Sequence, residues 1–374
     1  MKIVVFFTFG VSLKDWNDTG LIERETFIYK ELYKNHKIET YLITYGCNDD
    51  FEYSHLLGEG IKVFPIYKNK EVPSNKLHRL ISSLLAPFFL KKTLQQAVLY
   101  KTNQFWGSWT AVISKLLYKK PLVLRSGYNY YDFAKRLKRS MLFLIVAKII
   151  LSISMKFSDK ILVATENDLN DILDNFKVDK KKFNIRPNWI NTNKFSPIDM
   201  PKSIDILCVG RLEPVKNILF ILSSLSNETY NLKIYGSGSQ AKILKKYAKK
   251  TKLEVSFMGN APNNEMPNIY NSSQIYLLCS KYEGNPKTLL EAMSCGSCVI
   301  GLDSSGINNI IKDNENGILI NESENELLFA VKKLMTNETK KKLLGANARK
   351  FIQENHSIEN FLDEEIKMIN SLVL

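Results

Sequence analysis

The chain has 374 residues, which exceeds the usual size of a single hydrophobic core and predicts two domains. A hydrophobic content of 45% and a charged content of 24% are typical of a folded globular protein and exclude a low-complexity chain. The net charge is +14, but the lysines are scattered and no zinc-finger spacing or basic run alternating with aromatic residues is present, so we expect no nucleic-acid partner.

The chain start and the cysteines indicate the compartment. The first run, MKIVVFFTFG, lacks a cleavage site of small residues and predicts a buried strand rather than a signal peptide. The cysteines do not form a disulfide framework in a chain of this length; they are Cys47, Cys208, Cys279, Cys295 and Cys298. We therefore expect a cytoplasmic protein with reduced thiols.

Apolar, β-branched runs alternate with helical stretches along the chain. KIVVFF, ETYLITY, PLVLR and DKILVAT form one series, and IDILCVG, NLKIYG, LEVSFMG, QIYLLCS, SCVIGLD and NGILI form a second. Such alternation predicts parallel sheets covered on both faces, and two series predict two doubly wound α/β domains. The segment 187–203 has three prolines and few apolar runs, which predicts the join.

Two apolar stretches in the first half are flanked by lysine and arginine, residues 77–94 and 135–157. The apolar part of the second stretch contains Lys148 and is shorter than the roughly 20 residues that span a bilayer. Two interpretations stay open. Both stretches are buried helices with basic ends, or they form an interfacial surface that rests on anionic lipid.

Two cations follow a predicted buried strand in CVGRLEPVKN, residues 208–217. The strand ends at Gly210, and Arg211 and Lys216 then emerge at its carboxyl end. An arginine fork and a lysine point charge at this place can converge on a leaving diphosphate. By itself, the stretch is also typical of a surface loop.

Two acids lie eight positions apart in SKYEGNPKTLLEAMSCGS, residues 280–297. A helical spacer would separate Glu283 and Glu291 by about 12 Å, whereas glycoside hydrolysis requires roughly 5–9.5 Å between its carboxyl groups. The acids could instead hold the two ends of one elongated ligand. Alternatively, Glu291 is a solvent-facing helix residue.

The same stretch predicts a helix start suited to phosphate. Asn285 is the expected N-cap and Pro286 the first helical residue, and Gly284 lets a ligand approach the backbone. Free N–H groups and partial positive charge at a helix start favour phosphate. A nucleotide-diphosphate sugar fits this layout, with its sugar hydroxyls at Glu283 and its ribose hydroxyls at Glu291.

Together these segments resemble a known family. GRLEPVKN, IYGSGS, FMGNAP, SKYEGNPKTLLEAMSCGSCVIG, SGINNII and NGILI are similar, in order and spacing, to the C-terminal domain of the family 4 retaining glycosyltransferases (glycosyl transferases group 1). The resemblance is strong over residues 204–322. Upstream, DTGLIERE is similar to the family's N-terminal glycine loop, and residues 45–125 match only loosely.

The resemblance implies a GT-B fold, which has two Rossmann-like doubly wound domains facing a central cleft. Residues 1–195 would form the acceptor-binding domain, and residues 196–355 the nucleotide-sugar-binding domain. Residues 356–374 would form a C-terminal helix that packs back on the N-terminal domain.

The resemblance also implies residue roles. Arg211 and Lys216 would bind the diphosphate, Glu283 would contact the transferred sugar, and these three form the catalytic set. Glu291 would bind the ribose. The other donor-binding residues are Gly20, Gly210, Asn260, Ala261, Gly284, Asn285, Pro286, Lys287 and Thr288. Among them, Asn260 and Ala261 would seat the base.

The acceptor side departs from the family pattern. Many relatives carry a histidine after the strand matched by PLVLR, but this chain has Arg125, Ser126 and Gly127 there. No histidine falls at that place; the four are His36, His55, His78 and His356. Cys298 replaces a usual proline, and Asn308 and Asn309 stand near a frequent Pro-Glu.

The implied activity is retaining hexosyl transfer from a nucleotide-diphosphate sugar to a hydroxyl acceptor, and the basic, apolar helices favour a lipid-linked or growing surface glycan as that acceptor. We expect no metal and no cofactor besides this co-substrate. The protein would be cytoplasmic and peripheral on the inner face of the membrane, resting on anionic lipid through 77–94 and 135–157. The alternatives are a GT-B nucleotide-sugar epimerase and a non-catalytic nucleotide-sugar-binding partner.

Two further motifs have simpler explanations. YGSGSQAKI has the outline of a dinucleotide fingerprint, but no acid ends the next strand, so Gly236 and Gly238 predict a tight strand-to-helix turn. CGSC at residues 295–298 mimics a thiol-redox motif. It lies at a helix C-terminus, however, where Gly296 is expected to end the helix.

Overall fold

The computed structural model describes residues 1–126, 131, 134–135 and 138–373. The chain forms two compact units. Unit 1 is Met1–Arg186 together with Leu362–Leu374, and unit 2 is Pro187–Phe361. The boundary between Arg186 and Pro187 lies at the start of the proline-containing segment 187–203. The domain bounds expected from the sequence stay a prediction.

Unit 1 contains a seven-stranded parallel sheet among its described residues, in the order β3-β2-β1-β4-β5-β6-β7. Its strands are β1 (Lys2–Phe6), β2 (Glu39–Thr44), β3 (Ile61–Pro65), β4 (Leu99–Thr102), β5 (Leu122–Ser126), β6 (Lys160–Val163) and β7 (Phe183–Ile185). The described α-helices that connect them are α1 (Leu13–Asp18), α2 (Ile22–His36), α3 (Lys76–Phe89), α4 (Lys91–Gln95), α5 (Ser108–Tyr118), α6 (Met141–Phe157) and α7 (Glu166–Asn175).

Unit 2 contains a six-stranded parallel sheet, in the order β10-β9-β8-β11-β12-β13. Its strands are β8 (Ile204–Val209), β9 (Asn231–Tyr235), β10 (Glu254–Gly259), β11 (Ser273–Leu278), β12 (Cys298–Leu302) and β13 (Ile318–Ile320). Its helices are α8 (Ile218–Ser224), α9 (Ala241–Ala248), α10 (Met266–Asn271), α11 (Lys287–Ser294), α12 (Glu324–Met335) and α13 (Glu338–Asn355). The last helix, α14 (Ile358–Val373), begins in unit 2 and continues in unit 1.

The central strands are apolar because helices cover both sheet faces. In β1, Ile3, Val4 and Val5 are completely buried, and in β12 Val299 and Ile300 are as well. Consecutive side chains of a strand point to opposite faces. Burial of neighbours along one strand therefore places apolar core on both sides of each sheet, as the sequence predicts.

The strand order of each sheet reverses at one point. In unit 2, β8 pairs with β9 on one side and with β11 on the other. In unit 1, β1 lies between β2 and β4 in the same way. Ligands of open α/β sheets bind at the carboxyl ends of the strands beside such a reversal. The loops after β8 and β11 thus occupy the ligand-binding position of unit 2.

The two apolar, basic stretches of the first half are helical where the structure describes them. Residues 77–94 lie in α3 and α4, and the second stretch contains α6. None of the helices in the described residues is long and apolar enough to span a bilayer.

Candidate active site

The loop after β8 carries the two predicted diphosphate ligands. Gly210 follows the strand, and a 3-10 turn, Pro214–Lys216, ends the loop. The backbone of Leu212 anchors the loop at its middle. Its N–H donates to the Ser237 carbonyl at 2.8 Å, and its carbonyl accepts from the Gln240 N–H at 2.9 Å. The cation-bearing loop is therefore held against the turn that follows β9.

Glycines permit this close contact. A Cβ on Gly236 would lie 1.9 Å from the Gly210 carbonyl oxygen, and a Cβ on Gly238 would lie 2.5 Å from the Leu212 carbonyl oxygen. Neither position tolerates a side chain without moving backbone. This is the tight strand-to-helix turn that the sequence predicts, with α9 beginning at Ala241.

The loop after β11 carries Glu283 and is fixed to its neighbours through backbone hydrogen bonds. The Glu283 N–H donates to the Ser305 carbonyl at 2.9 Å, and the Lys281 N–H donates to the Val215 carbonyl at 2.9 Å. The second bond joins the acid-bearing loop directly to the cation-bearing loop. Two segments that are far apart in the sequence thus form one surface at the strand-order reversal.

The centre of this surface is an ion pair between Lys216 and Glu283. The Lys216 Nζ donates to the Glu283 Oε1, and the two side chains are 14% and 13% exposed. A Cβ on Gly210 would stand 3.6 Å from the Lys216 Cε, so the lysine side chain lies over this glycine. The structure therefore brings together a predicted diphosphate ligand and the predicted sugar ligand in a partly desolvated position.

The helix start differs from the prediction by a small shift. Helix α11 begins at Lys287 with Pro286 as its N-cap, so the expectation that Asn285 is the N-cap is wrong. Asn285 instead bonds to a distant segment. Its Oδ1 accepts from the Asn188 N–H at 3.0 Å, and its carbonyl accepts from the Asn188 Nδ2 at 2.6 Å. No side-chain hydrogen bond caps α11, so the partial positive charge of its first turn is not compensated by a capping side chain.

Glu291 points into the unit rather than into solvent. It is 7% exposed, and its Oε2 accepts from the hydroxyl of Tyr270 at 2.8 Å. Burial, and next the Glu291 carboxylate, raise the pKa of Tyr270 well above its ordinary value, so the hydroxyl remains a donor. The alternative that Glu291 is a solvent-facing helix residue is wrong.

Tyr276 on β11 lies among the predicted site residues. Its hydroxyl donates to the Thr288 Oγ1 at 2.9 Å. Burial raises the pKa of Tyr276 well above its ordinary value, and the carboxylates of Glu283 and Glu291 raise it further. Sequence reasoning missed Tyr270 and Tyr276, since an aromatic residue in an apolar run is typical of a core.

Arg211 is exposed at the rim of the site. Among the described residues it makes no ion pair with Glu283 or Glu291, and it lies near Glu213 instead. The Glu213 carboxylate accepts from the N–H and the hydroxyl of Ser239 at 2.9 and 2.7 Å. These bonds, with a smaller contribution from Arg211, hold the pKa of Glu213 below its ordinary value. The second predicted diphosphate ligand therefore lies in the predicted loop, with its side chain exposed.

The remaining donor-side residues occupy the neighbouring loops of unit 2. Gly259 ends β10 with φ 71°, and its carbonyl accepts from the Gly236 N–H at 2.7 Å. Asn260, which follows, is exposed, and Ala261 packs against the core. The Lys287 ammonium lies 5.1 Å from the centroid of the Trp189 ring. That Asn260 and Ala261 seat a base stays a prediction.

The predicted residues of unit 1 are described separately. Gly20 lies between α1 and α2 with φ 68°, a conformation that favours glycine. At the end of β5, the Arg125 Nη1 lies 3.8 Å from the Glu25 Oε2, and Ser126 is buried. Gly127 falls outside the described residues. The roles given to Gly20 at the donor and to Arg125, Ser126 and Gly127 at the acceptor stay predictions.

The cysteines of CGSC are buried and unpaired with each other. Burial raises the pKa of Cys295 and of Cys298 to about 12. Both thiols therefore stay protonated at neutral pH, which a reactive thiolate does not. Gly296 has φ 72° and directly follows the last turn of α11, as predicted for a helix-ending glycine.

The described residues show no group of three or more histidine, cysteine or acidic side chains placed to hold a metal ion.

A family model matches the part of the sequence that contains the site residues of unit 2. Residues 191–351, which include the Lys216–Glu283 pair and α11, match the model of the family described as Glycosyl transferases group 1. Residues 191–351 therefore have the sequence pattern of that family. The more specific assignment to family 4 stays a prediction.

Curated relatives are similar to this chain over part of their length. The chain is 28% identical over 213 residues to an uncharacterized glycosyltransferase of Haemophilus influenzae. The aligned region covers 55% of this chain and 60% of that protein. It is 27% identical over 207 residues to the UDP-Gal:alpha-D-GlcNAc-diphosphoundecaprenol alpha-1,3-galactosyltransferase of Escherichia coli, covering 50% and 54%. The matches thus span less than two thirds of these relatives.

A solved structure extends the likeness to the whole chain. Alr3699/HepE of Anabaena, crystallised in complex with UDP, has a TM-score of 0.78 at 14% identity, with 100% of both chains covered. At this identity the likeness shows the fold alone. Two parallel doubly wound sheets with this likeness confirm the predicted α/β class and the GT-B fold.

Proposed function

We propose that this protein is a retaining glycosyltransferase of group 1 that moves a hexose from a nucleotide-diphosphate sugar to a hydroxyl acceptor. The acceptor is a lipid-linked or growing surface glycan at the cytoplasmic face of the membrane. The observation that carries the proposal is the Lys216–Glu283 pair, which lies where the strand order of unit 2 reverses, beside the uncapped start of α11.

The donor diphosphate would occupy the space before α11. Lys216 supplies an ammonium with three donors, of which one bonds to Glu283. The others are free to bind phosphate oxygens, and the N–H groups of α11 add partial positive charge. Arg211 at the rim would turn inward to form the second, forked contact.

The chemical step requires stabilisation of the charge that develops on the leaving diphosphate. Fixed donors aimed at this point act strongly in a partly desolvated site. Glu283, held by Lys216 and by its backbone, would bind the transferred sugar, and Glu291 would bind the ribose. The departing phosphate oxygen would take the proton of the acceptor hydroxyl, so the proposed step uses neither a metal ion nor a further cofactor.

Two printed names among the similar proteins support the choice of substrates. The Escherichia coli relative is named for UDP-Gal and a diphosphoundecaprenol-linked acceptor, and the Anabaena neighbour was solved with UDP. We therefore propose a uridine diphosphate sugar and a polyprenyl-diphosphate-linked glycan as the first pair to test.

The test is a panel of nucleotide sugars with a synthetic polyprenyl-diphosphate-linked sugar, followed by NMR of the anomeric proton. We expect one donor to yield a product with the anomeric configuration of the donor, with equal rates in buffer and in EDTA. An altered free nucleotide sugar without acceptor would identify an epimerase. Binding without turnover of any donor would identify a non-catalytic partner, and inversion would overturn the retaining assignment.

A further inference from the structure

Three helices of unit 1 pack side by side, with α5 in the middle. The Trp109 Nε1 donates to the Ser83 Oγ of α3 at 2.7 Å, and the Ser108 Oγ donates to the Ser154 Oγ of α6 at 2.8 Å. The Thr110 Oγ1 also donates to the Ser83 carbonyl at 3.0 Å. These buried contacts join α3, α5 and α6 into one layer, which we name the three-helix layer.

The layer exposes large apolar side chains on its outer side. On α3, these are Leu77, Ile81, Leu84, Leu85, Phe88 and Phe89, with Phe89 73% exposed. On α6, they are Met141, Leu142, Ile145, Val146, Ile149 and Ile153, with Leu142 73% exposed. Leu116 and Leu117 of α5 are also exposed. On α3 and α6 the spacing follows the helical period, so both of these helices present a continuous apolar stripe.

The exposed stripes of α3 and α6 are formed by residues other than those that pack these helices into unit 1. In α3, the buried residues are Ser83, Ala86 and Pro87, and in α6 they are Ala147, Leu151, Ser154 and Met155. Each helix already has a packed side, and the opposite side would carry polar residues in a helix that faces water. Exposed apolar surface of this extent marks a contact with a membrane or a partner.

The charges around the stripes are predominantly basic. Residues 76–92, 108–120 and 135–157 contain no aspartate or glutamate. The exposed basic residues of these segments include Lys91, Lys92, Lys119, Lys135, Lys138, Arg139 and Lys156. Lys148, the one charged residue within the α6 stripe region, places its ammonium over the rings of Tyr131 and Phe176 at 5.9 Å. Basic residues flank the stripes of α3 and α6, and the nearby acid Asp159, which follows α6, is paired with Lys115 of α5.

We propose that the outer side of the three-helix layer docks on an anionic phospholipid bilayer. The apolar stripes enter the boundary between head groups and acyl chains, and the lysines and arginines bind lipid phosphates. A protein partner would also cover the apolar stripes, but a rim with a large excess of basic residues is complementary to an anionic lipid surface. Docking through this surface would bring the proposed transferase to its lipid-linked acceptor, so the inference rests on the proposed function.

The experiment measures cosedimentation with vesicles of phosphatidylcholine alone and of phosphatidylcholine with phosphatidylglycerol. We expect the full chain to bind the anionic vesicles at least about tenfold more tightly than the neutral ones, with a steep loss in high salt. Phe88→Ser/Phe89→Ser and Leu142→Ser/Ile145→Ser should each weaken binding at least about tenfold. Lys91→Gln/Lys92→Gln/Lys138→Gln/Arg139→Gln should abolish the preference for anionic lipid.

Matched controls lie in unit 2. Phe329 and Leu343 are 67% and 59% exposed, and Phe329→Ser and Leu343→Ser should bind vesicles as the unaltered chain does. All substituted side chains are exposed, and circular dichroism checks that each variant is folded. Hydrolysis of the donor by water, measured without lipid, should be unchanged in the Phe88→Ser/Phe89→Ser variant, so failure of docking and failure of the proposed transfer are distinguished.

Three results would overturn the proposal: no binding to anionic vesicles, equal binding to both vesicle types, or the same loss in the unit 2 controls. A self-association that is seen by ultracentrifugation and lost in Phe88→Ser/Phe89→Ser, without any vesicle binding, would assign the surface to a second copy of the chain instead.

Discussion

At the scale of single residues, the Lys216–Glu283 pair is the most informative feature of the site. Its two charges are both largely withdrawn from water, so each depends on the other or on a ligand for compensation. The residues are 67 positions apart and meet because β8 and β11 are neighbours in the sheet. A pair kept in this position suits a site that binds a charged, hydroxyl-rich ligand.

Removal of either cation should reduce transfer strongly. We predict that Lys216→Ala or Arg211→Ala lowers the rate of sugar transfer at least about 100-fold, the scale of losing one preorganised contact to developing charge. Lys332→Ala is the control, because Lys332 forms an exposed ion pair with Glu228 at 2.8 Å, on α12. Initial rates of purified variants check this, and near-normal rates for both Arg211→Ala and Lys216→Ala would contradict the assignment.

The roles of Glu291 and Tyr270 can be distinguished by measuring nucleotide affinity and the free energy of unfolding. We predict that Glu291→Ala weakens nucleotide binding in calorimetry, because it removes the proposed ribose ligand. Tyr270→Phe removes only the donor to Glu291 and should lower the free energy of unfolding by about 1–3 kcal/mol. Nucleotide affinity should then change little. If Glu291→Ala left nucleotide affinity unaltered, the ribose role would be refuted.

The sequence located residues that the structure brings together where they stand in loops directly after apolar runs, such as Lys216 and Glu283. It could not predict that the hydroxyl of Tyr270 bonds to Glu291 or that of Tyr276 to Thr288, because these contacts depend on how the core packs. Asn188 was also missed. Its bonds to Asn285 join segments 97 positions apart, and no local pattern marks them.

At the scale of elements, the site depends on three loops that are joined through their backbones. The loop 210–217 bonds both to the turn after β9 and to the loop that carries Glu283. The position of Lys216 is therefore set by hydrogen bonds and close packing rather than by the ion pair alone. Such support keeps the hydrogen-bond donors of Lys216 in position before a ligand binds.

A side chain at Gly236 should disturb this arrangement. We predict that Gly236→Ala lowers both stability and nucleotide affinity, because its Cβ would collide with the Gly210 carbonyl oxygen. Gly58→Ala is the control for backbone strain. Gly58 has a positive φ of 81°, and its nearest neighbour is the flexible side chain of Lys30. Urea unfolding and calorimetry of both variants check the prediction, which fails if the two lose the same nucleotide affinity.

The type and order of the helices and strands were largely predictable from the sequence, but their exact bounds and their exposed faces were not. Alternating strand and helix patterns gave the two series of parallel strands. The start of α11 was misplaced because the Asn285 side chain is taken by Asn188 rather than by the helix. For α3 and α6, periodicity could not decide between burial and an exposed apolar surface, since each helix has both.

At the scale of the whole molecule, the strand order places the site. Two alternating series predict two doubly wound sheets, but they do not reveal between which strands the order reverses. That information comes from the pairing of β8 with both β9 and β11. The resemblance to the group 1 family supplied the fold, and the structure supplied the reason why these loops meet.

The C-terminal helix is tied to unit 1 by a buried ion pair. Lys101 on β4 donates to the Glu365 carboxylate on α14, and both side chains are almost fully buried. Burial lowers the pKa of Lys101, and the Glu365 charge opposes this effect. The pair thus joins positions that are 264 residues apart within one unit.

Breaking this pair on one side should be costly. We predict that Glu365→Ala lowers the free energy of unfolding by about 3–5 kcal/mol, because Lys101 is left buried without compensation. Lys101→Met/Glu365→Leu should recover most of the loss. Urea unfolding followed by tryptophan fluorescence reports mainly on unit 1, which holds Trp16, Trp106 and Trp109 of the four tryptophans. Equal losses in the single and double variants would contradict this account.

The most direct test of the central claim is calorimetric binding of nucleoside diphosphates to the purified chain. UDP, ADP, GDP and CDP would each be titrated into the unaltered protein, Arg211→Ala/Lys216→Ala and Lys332→Ala. The account predicts that at least one of them binds the unaltered protein and Lys332→Ala equally, and binds the double variant at least about tenfold more weakly. Equal affinity in the double variant, or no binding of any nucleoside diphosphate, would contradict a diphosphate site at Lys216.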